Sequence, residues 1–271
     1  MRTDSGYFGP DSAMWKVNRE TTVLFGGARA LLMHSAHPLV SAGARQTGGY
    51  RRDPWSRLIR TLQLQNLVTF GSIAEADEAA DRINKLHKTI KGDDPVTGLY
   101  YDATAIDLLL WVHAALEVST VLFYELTVGP LSDDEKDRYH EENKVAAELL
   151  WLPRSEIPSS YADMEEYVDG VIAGDELLAT EVSAEVTELI RTGRSVPTRI
   201  KPIWKLISFT ATGTLDPRLR ELHQLKWSPG RQRVLDANLA LIKATRPFLP
   251  YRFRLILPAR WAELRLRDLA V

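Results

Sequence analysis

An all-α fold, one multi-helix domain over residues 1–271, is predicted by three observations. Helical periodicity recurs from end to end, helix caps punctuate it, and strand signals are scarce. The intervening loops are short and marked by Gly and Pro, with no internal repeat and no low-complexity linker. A hydrophobic fraction of 45% supplies a sizeable core, so the helices have something to pack around.

Asp11-Ser12 opens a helix towards Phe25, which Gly26-Gly27 is expected to stop. A second apolar helix runs from Ala28 towards Gly43, with a kink expected at His37-Pro38 and the freed carbonyl taken up by a neighbour. Asp53-Pro54 is a clean start, Asp as N-cap and Pro at the first helical position, for a helix to Phe70 that ends at Gly71. Ser72 to Lys91 mixes charged and apolar residues at helical spacing and is expected to close at Gly92.

Asp102 to Ala105 opens the central helix, which reaches about Leu126. Its apolar stretch, Ala105 to Phe123, is about the length of a membrane span but carries Asp107, His113 and Glu117. Charges at such depth are expensive, so a buried core helix is expected and no transmembrane segment. Ser132 starts a charged helix, with Glu135 completing a capping box. Further helices fit Ala162 to Ile172, Glu176 to Arg191, Thr198 to Thr210, Pro217 to Leu222 and Pro229 to Ala244. The end, about 246–271, interleaves arginines with aromatic and aliphatic residues from Arg246 to Arg267. Either a C-terminal helix packs on the body with solvated arginines, or this extension contacts a membrane surface or a partner.

Composition and missing motifs narrow the chemistry. The chain has no cysteine, which removes disulfides, thiolate catalysis, iron–sulfur clusters, cysteine zinc sites and covalent c-type haem attachment. Formal net charge is −2, which argues neither for nor against a charged partner; no nucleic-acid partner is expected. No Gly-x-Gly-x-x-Gly, no phosphate loop and no Gly-x-Ser-x-Gly elbow occurs, so nucleotide and ordinary hydrolase routes lack support. The polar start Met1 to Gly6 lacks the apolar run of a signal peptide, and a cytoplasmic setting is expected.

Of the six histidines, His113 stands in the middle of the long apolar helix. An imidazole so placed either satisfies itself in a core or binds something, and a haem iron is the best candidate for that something. Glu117, one turn later on the same face, is either the partner that orients the imidazole or a rim charge; Trp111 packs the core or a pocket wall. His34 and His37 share a helix face but lack a third ligand nearby. His140 is assigned to a solvated helix face and His223 to a polar loop. Arg57, Arg60 and Thr61 fall at i, i+3 and i+4, forming either an anion- or oxygen-binding surface or an ordinary basic face.

Several motifs in this order resemble the bacterial proteins that share a domain with latex-clearing rubber oxygenases and with an ER-bound fungal oxygenase of mycophenolic acid biosynthesis. The marks are Gly9-Pro10-Asp11-Ser12 with Trp15, Leu31-Leu32 through Ala36-His37-Pro38-Leu39-Val40, Asp53-Pro54 with Arg57 and Arg60-Thr61, Phe70-Gly71, His87 before Gly92, and Leu110-Trp111-Val112-His113-Ala114. They span about residues 8–230. The resemblance implies a mostly helical fold with a globin-like core, a non-covalent haem b, and His113 as the proximal iron ligand. It also maps the family's Arg-x-x-Lys-Thr motif onto Arg57-x-x-Arg60-Thr61. A guanidinium stays protonated and is a very poor iron ligand, so Arg60 leaves the sixth position open, water-filled, or to His37 or His34. Ser41 to Arg52 offers no glutamate to act as a base, which with the polar start weighs against polyisoprene cleavage.

Three readings follow. In the first, the chain is a haem-dependent oxygenase or peroxidase-like enzyme acting on an apolar organic substrate with dioxygen or peroxide. His113 then holds iron, Arg57, Arg60 and Thr61 serve propionates or bound oxygen, and His37, Trp111 and Glu117 complete the cofactor site. The second is a haem-binding sensor, carrier or electron-transfer protein with bis-histidine iron. The third is a haem-free helical ligand or interaction module in which His113 is a satisfied core histidine.

Overall fold

A computed structural model describes residues 6–269, and these form fifteen α-helices and one short hairpin. The first half runs α1 (Ala13–Asn18), a 3-10 turn (Thr21–Phe25), α2 (Gly26–Ala36), α3 (Pro38–Thr47), α4 (Gly49–Arg52), α5 (Pro54–Phe70) and α6 (Ile73–His87). Strands β1 (Lys91–Asp93) and β2 (Tyr100–Asp102) follow, then α7 (Ile106–Thr127) and α8 (Asp133–Leu149). The second half runs α9 (Tyr161–Ala173), α10 (Glu181–Thr192), α11 (Lys201–Gly213), α12 (Pro217–Leu222), α13 (Pro229–Thr245), α14 (Tyr251–Arg254) and α15 (Leu257–Leu269).

The centre is α7. It is long and apolar enough, by length and composition, to cross a membrane, yet most of it is buried inside the protein. A helix apolar on all sides needs neighbours on all sides, and α1, α2, α8, α9 and α13 all pack on it. Leu32, Met33 and Ala36 of α2 meet Trp111, Ala114, Ala115 and Val118 of α7 in the main core, with Met164 and Val168 of α9 on the other flank.

Several helix boundaries differ from the sequence expectation: the helix expected over Ser72 to Lys91 ends at His87, with Lys91 in β1; the one expected from Glu176 starts at Glu181, where Thr180 caps it; and Thr198 opens a 3-10 turn before α11. Near the start of the chain the physical reasons are plain. The first helix ends at Asn18, because Glu20 bridges to Leu255 as isolated β-structure and pairs with Arg246, while Gly26-Gly27 opens α2 instead of closing a helix. The reason is close approach: a Cβ on Gly26 would stand 2.7 Å from the Ser119 carbonyl oxygen of α7. Gly26→Ala is therefore expected to cost about 1–3 kcal/mol, because it must push two packed backbones apart; an unchanged denaturation midpoint would contradict this contact.

At His37-Pro38 the chain breaks into two helices where a kink was expected. His37 adopts extended backbone (φ −84°, ψ 119°), as a residue before proline tends to. The carbonyls this frees do find neighbours: Ser35 O accepts from the Ser41 hydroxyl (2.8 Å) and Ala36 O from Leu178 N–H (2.9 Å). The hairpin is a feature periodicity misses, since three-residue strands give no pattern; its turn is tied by Asp94, whose carboxylate accepts from Thr97 N–H and hydroxyl (2.9 and 2.8 Å). The starts at Asp53-Pro54, Ser72 and Ser132 are as expected, the last two with complete capping boxes.

The C-terminal segment packs on the body. Ile256, Ala259 and Ala262 bury against Trp15 and Phe70, and Arg246 forks onto the buried Glu20 carboxylate (2.9 and 2.5 Å).

Candidate functional site

On the face of α7 that carries His113, the carboxylate of Glu117 is 1% exposed and surrounded by donors. His140 Nδ1 donates to its Oε1 at 2.8 Å, and Asn143 Nδ2 to its Oε2 at 3.1 Å. His113 Nε2 lies 3.2 Å from Oε2 as well, but off the line a hydrogen bond requires, so that buried nitrogen has no hydrogen-bond partner. The other ring nitrogen of His140 faces the Pro158 carbonyl at 2.8 Å. Two acceptors on one ring are satisfied only by the doubly protonated form, so His140 is a buried imidazolium. Burial alone would raise the Glu117 carboxyl; His113 and His140 outweigh it and hold that carboxyl well below the usual carboxylate range. Burial likewise pulls His140 down, and Glu117 more than reverses it.

His140 is thus the opposite of a solvated histidine. The signal was there: Tyr139, His140, Asn143, Lys144 and Ala147 are the buried stripe of an otherwise charged α8. His223 is also buried, bonded to Leu32 O (2.9 Å) and the Thr187 hydroxyl (2.9 Å), where a polar loop was expected.

Three elements converge near His113. His34 of α2 donates Nε2–H to the carbonyl of Val112, the residue before His113, at 3.0 Å. Burial pushes its pKa down to about 4, with the charge of Arg57 on α5 adding to the effect. Arg57 itself is half-buried and makes no side-chain hydrogen bond or ion pair among the described residues. Burial lowers its pKa. Arg60 and Thr61 are exposed, and the Thr61 hydroxyl bonds back to Arg57 O (3.1 Å), so of the three α5 residues Arg57 alone is drawn inward. His37 is buried at the α2–α3 break with Nδ1 unpartnered, and Trp111 is a core residue with Nε1 unpartnered.

A narrow cleft between α2, α5 and α7 is lined by Gly27, Leu62, Asn66, Leu116 and Thr120. Leu116 and Thr120 lie one and two turns beyond His113 on the same face of α7. Leu24, Leu62 and Asn66 also line a wider groove of about 370 Å³ that opens beside Arg252, Phe253 and Leu257.

His34, His37, His87 and His223 are all held below the ordinary histidine value by burial. The unfolded chain therefore binds more protons, and stability present above pH about 6.5 is lost as pH falls through it. His140 has the opposite sign: its contribution is full below about 6.5 and fades as pH rises through its raised value. Four groups outweigh one, so the melting temperature is expected to fall by about 5 °C or more between pH 7 and pH 5. A flat or rising profile in a thermal melt series would overturn that balance.

Among the described residues no group of three or more His, Asp or Glu side chains is arranged to hold a bare metal ion. A tetrapyrrole supplies four donors of its own and asks the protein for one or two. His113 meets that demand through one ring nitrogen: Nε2 faces the Glu117 carboxylate at 3.2 Å, which leaves Nδ1 for a metal, on a helix of apolar core residues.

Comparison with known proteins gives a family match over residues 15–265, to the domain described as "ER-bound oxygenase mpaB/B'/Rubber oxygenase, catalytic domain". It extends beyond residue 230 and takes in most of α15. Relatives include Uncharacterized protein Rv2237 of Mycobacterium tuberculosis and Uncharacterized protein Mb2261 of Mycobacterium bovis. Each is 27% identical over 237 residues, covering 83% of this chain and 89% of the relative. No solved structure matches.

Proposed function

We propose a haem b-dependent oxidoreductase for this chain, which belongs to the ER-bound oxygenase mpaB/B'/rubber oxygenase catalytic-domain family. The reaction is of the oxygenase or peroxidase-like kind, on an apolar organic molecule with dioxygen or peroxide as oxidant. The observation that carries this reading is the mostly buried His113 ring on an apolar helix, with Nε2 3.2 Å from the ionised Glu117 carboxylate and Nδ1 left as the nitrogen that does not face it. When bound, the haem supplies the redox chemistry that activates the oxidant.

The chain's own residues do the rest. His113 would hold the iron through Nδ1, because Nε2 faces the Glu117 carboxylate. Glu117 orients that ring from the Nε2 side, and is itself pinned by His140 and Asn143. Arg57 brings an unpaired positive charge from α5, suited to a propionate or to negative charge developing on bound oxygen. Arg60 and Thr61, at the surface, suit the rim. Leu62 and Leu116 give the cleft an apolar wall for an apolar substrate, with Asn66 and Thr120 as its polar contacts.

A second reading rests on His37 and His34. Each is held neutral by burial, and the unpartnered Nδ1 of His37 is a free ligand nitrogen. A second axial histidine from this pair would make a closed, six-coordinate haem protein for sensing or electron transfer.

The test is a UV-visible spectrum of purified protein with added hemin, oxidised and dithionite-reduced, for the wild type and His113→Ala. The wild type is expected to show a strong Soret band, and the variant to bind hemin at least about 100-fold more weakly. A five-coordinate reduced spectrum supports the oxidoreductase, and a bis-histidine spectrum supports the second reading. No Soret band in the wild type sinks both, and an unchanged His113→Ala spectrum removes His113 from the role.

A further inference from the structure

We propose that the C-terminal segment from Arg246 to Arg267 docks the protein on an anionic lipid surface and places the mouth of the groove against it. The observation is an inverted helix. On α15 the body-facing residues are the small Ala259 and Ala262, with Leu266 partly buried one turn further on. The bulky apolar ones, Leu257, Trp261 and Leu264, are 53%, 63% and 56% exposed. They follow at spacings of four and three, so they form one outward stripe. A helix that only needed to cover a core would turn that stripe inward. Phe248, exposed to 87%, and Phe253, to 57%, extend the apolar surface along the preceding chain.

Charge identifies the occupant. From residue 246 to the end the sequence has six arginines against Glu263 and Asp268, in a chain whose formal net charge is −2. Arg246 and Arg265 are paired with Glu20 and Glu75 of the body, and the positive charge that remains, from Arg252, Arg254, Arg260 and Arg267, sits beside the exposed aromatics. Arg252 and Arg267 are exposed, and the Arg252 guanidinium stacks 4.9 Å from the Phe253 ring centre. Aromatic rings at headgroup depth and arginines on anionic headgroups are what an interfacial helix presents to a bilayer. A second copy of this chain, acidic overall outside this segment, would satisfy the charge but leave the aromatic stripe to find an apolar counterpart.

The placement also has a use. Arg252, Phe253 and Leu257 border the groove whose inner wall, Leu24 and Leu62, continues into the cleft at Leu116. An apolar molecule dissolved in the lipid would reach α7 without crossing water. This use rests on the proposed oxidoreductase; the docking itself does not.

The test is sedimentation of the full chain with vesicles of phosphatidylcholine, with and without about 30% phosphatidylglycerol. Binding is expected to the anionic vesicles at least about tenfold more strongly than to the neutral ones, and to weaken from about 50 mM to about 500 mM salt. The double variant F253S/W261S and, separately, R252Q/R267Q should each lose about tenfold or more. All four side chains are exposed, so melting temperatures should stay as in the wild type. Absence of binding to either vesicle overturns the proposal, as does equal binding by the variants. So does a concentration-dependent dimer, seen by sedimentation velocity, that F253S/W261S abolishes. Vesicle binding needs no haem, so a failed hemin titration leaves this result standing.

Discussion

Replacing Glu117 by alanine is expected to destabilise the protein by about 3–5 kcal/mol, because it strands a buried cation. His140 keeps its Pro158 acceptor but loses the carboxylate that holds it charged, and Asn143 loses an acceptor too. The ring must then give up a proton or remain ionised without a counter-charge, and both cost stability. Glu117→Gln separates charge from shape. It should fold, at about half the cost, with the His140 ring no longer held above the ordinary histidine value. Denaturant midpoints measure the first effect and NMR titration of the ring the second. A Glu117→Ala protein as stable as the wild type would mean that His140 is neutral and the network ornamental.

The second large effect is at Arg29. Its guanidinium is 8% exposed and bridges three elements: Nε donates to Thr214 O (3.2 Å) and Nη1 to the Ser119 hydroxyl (2.8 Å), beside the Met33 sulfur (3.2 Å). No carboxylate lies within ion-pair distance among the described residues, and burial lowers its pKa to about 10. Arg29→Ala removes a large buried side chain and two hydrogen bonds at once, at an expected cost of about 2–4 kcal/mol. Arg29→Met refills most of the volume and removes a desolvated charge, so about 1 kcal/mol or less is expected. Urea denaturation of the pair decides it. If both cost the same, the hydrogen bonds and not the packing hold α2 to α7 and to the α11–α12 turn.

The helices were legible in the sequence because their ends carry local chemistry. Asp53-Pro54, Ser72 with Glu75 and Ser132 with Glu135 announce themselves within four residues. Gly26 was misread for the opposite reason: its role is set by Ser119, far along the chain, and a glycine looks the same as a stop or as a contact point. In the candidate site, His113 and Glu117 were legible as one helix face, but His140 was hidden by its charged neighbours. One residue of a mixed helix is buried or bare according to which partner covers it, and here the loop before α9, at Pro158, decides. Arg57 and Thr61 share a helix face on paper, yet the backbone claims the Thr61 hydroxyl and α5 leaves Arg60 in solvent.

The Gly26–Ser119 contact acts as a length gauge. The two helices run antiparallel, since Gly26 meets Ser119 while His34 meets Val112. A backbone contact at one end has no rotamer to absorb error, so it sets how far α2 may slide. His34 lies eight residues along, about 12 Å at the helical rise. A slip of one residue, about 1.5 Å, would take its ring out of hydrogen-bonding reach of Val112. Substitutions at this glycine are therefore felt first as misalignment beside His113, a turn and a half or more away from any atom they touch.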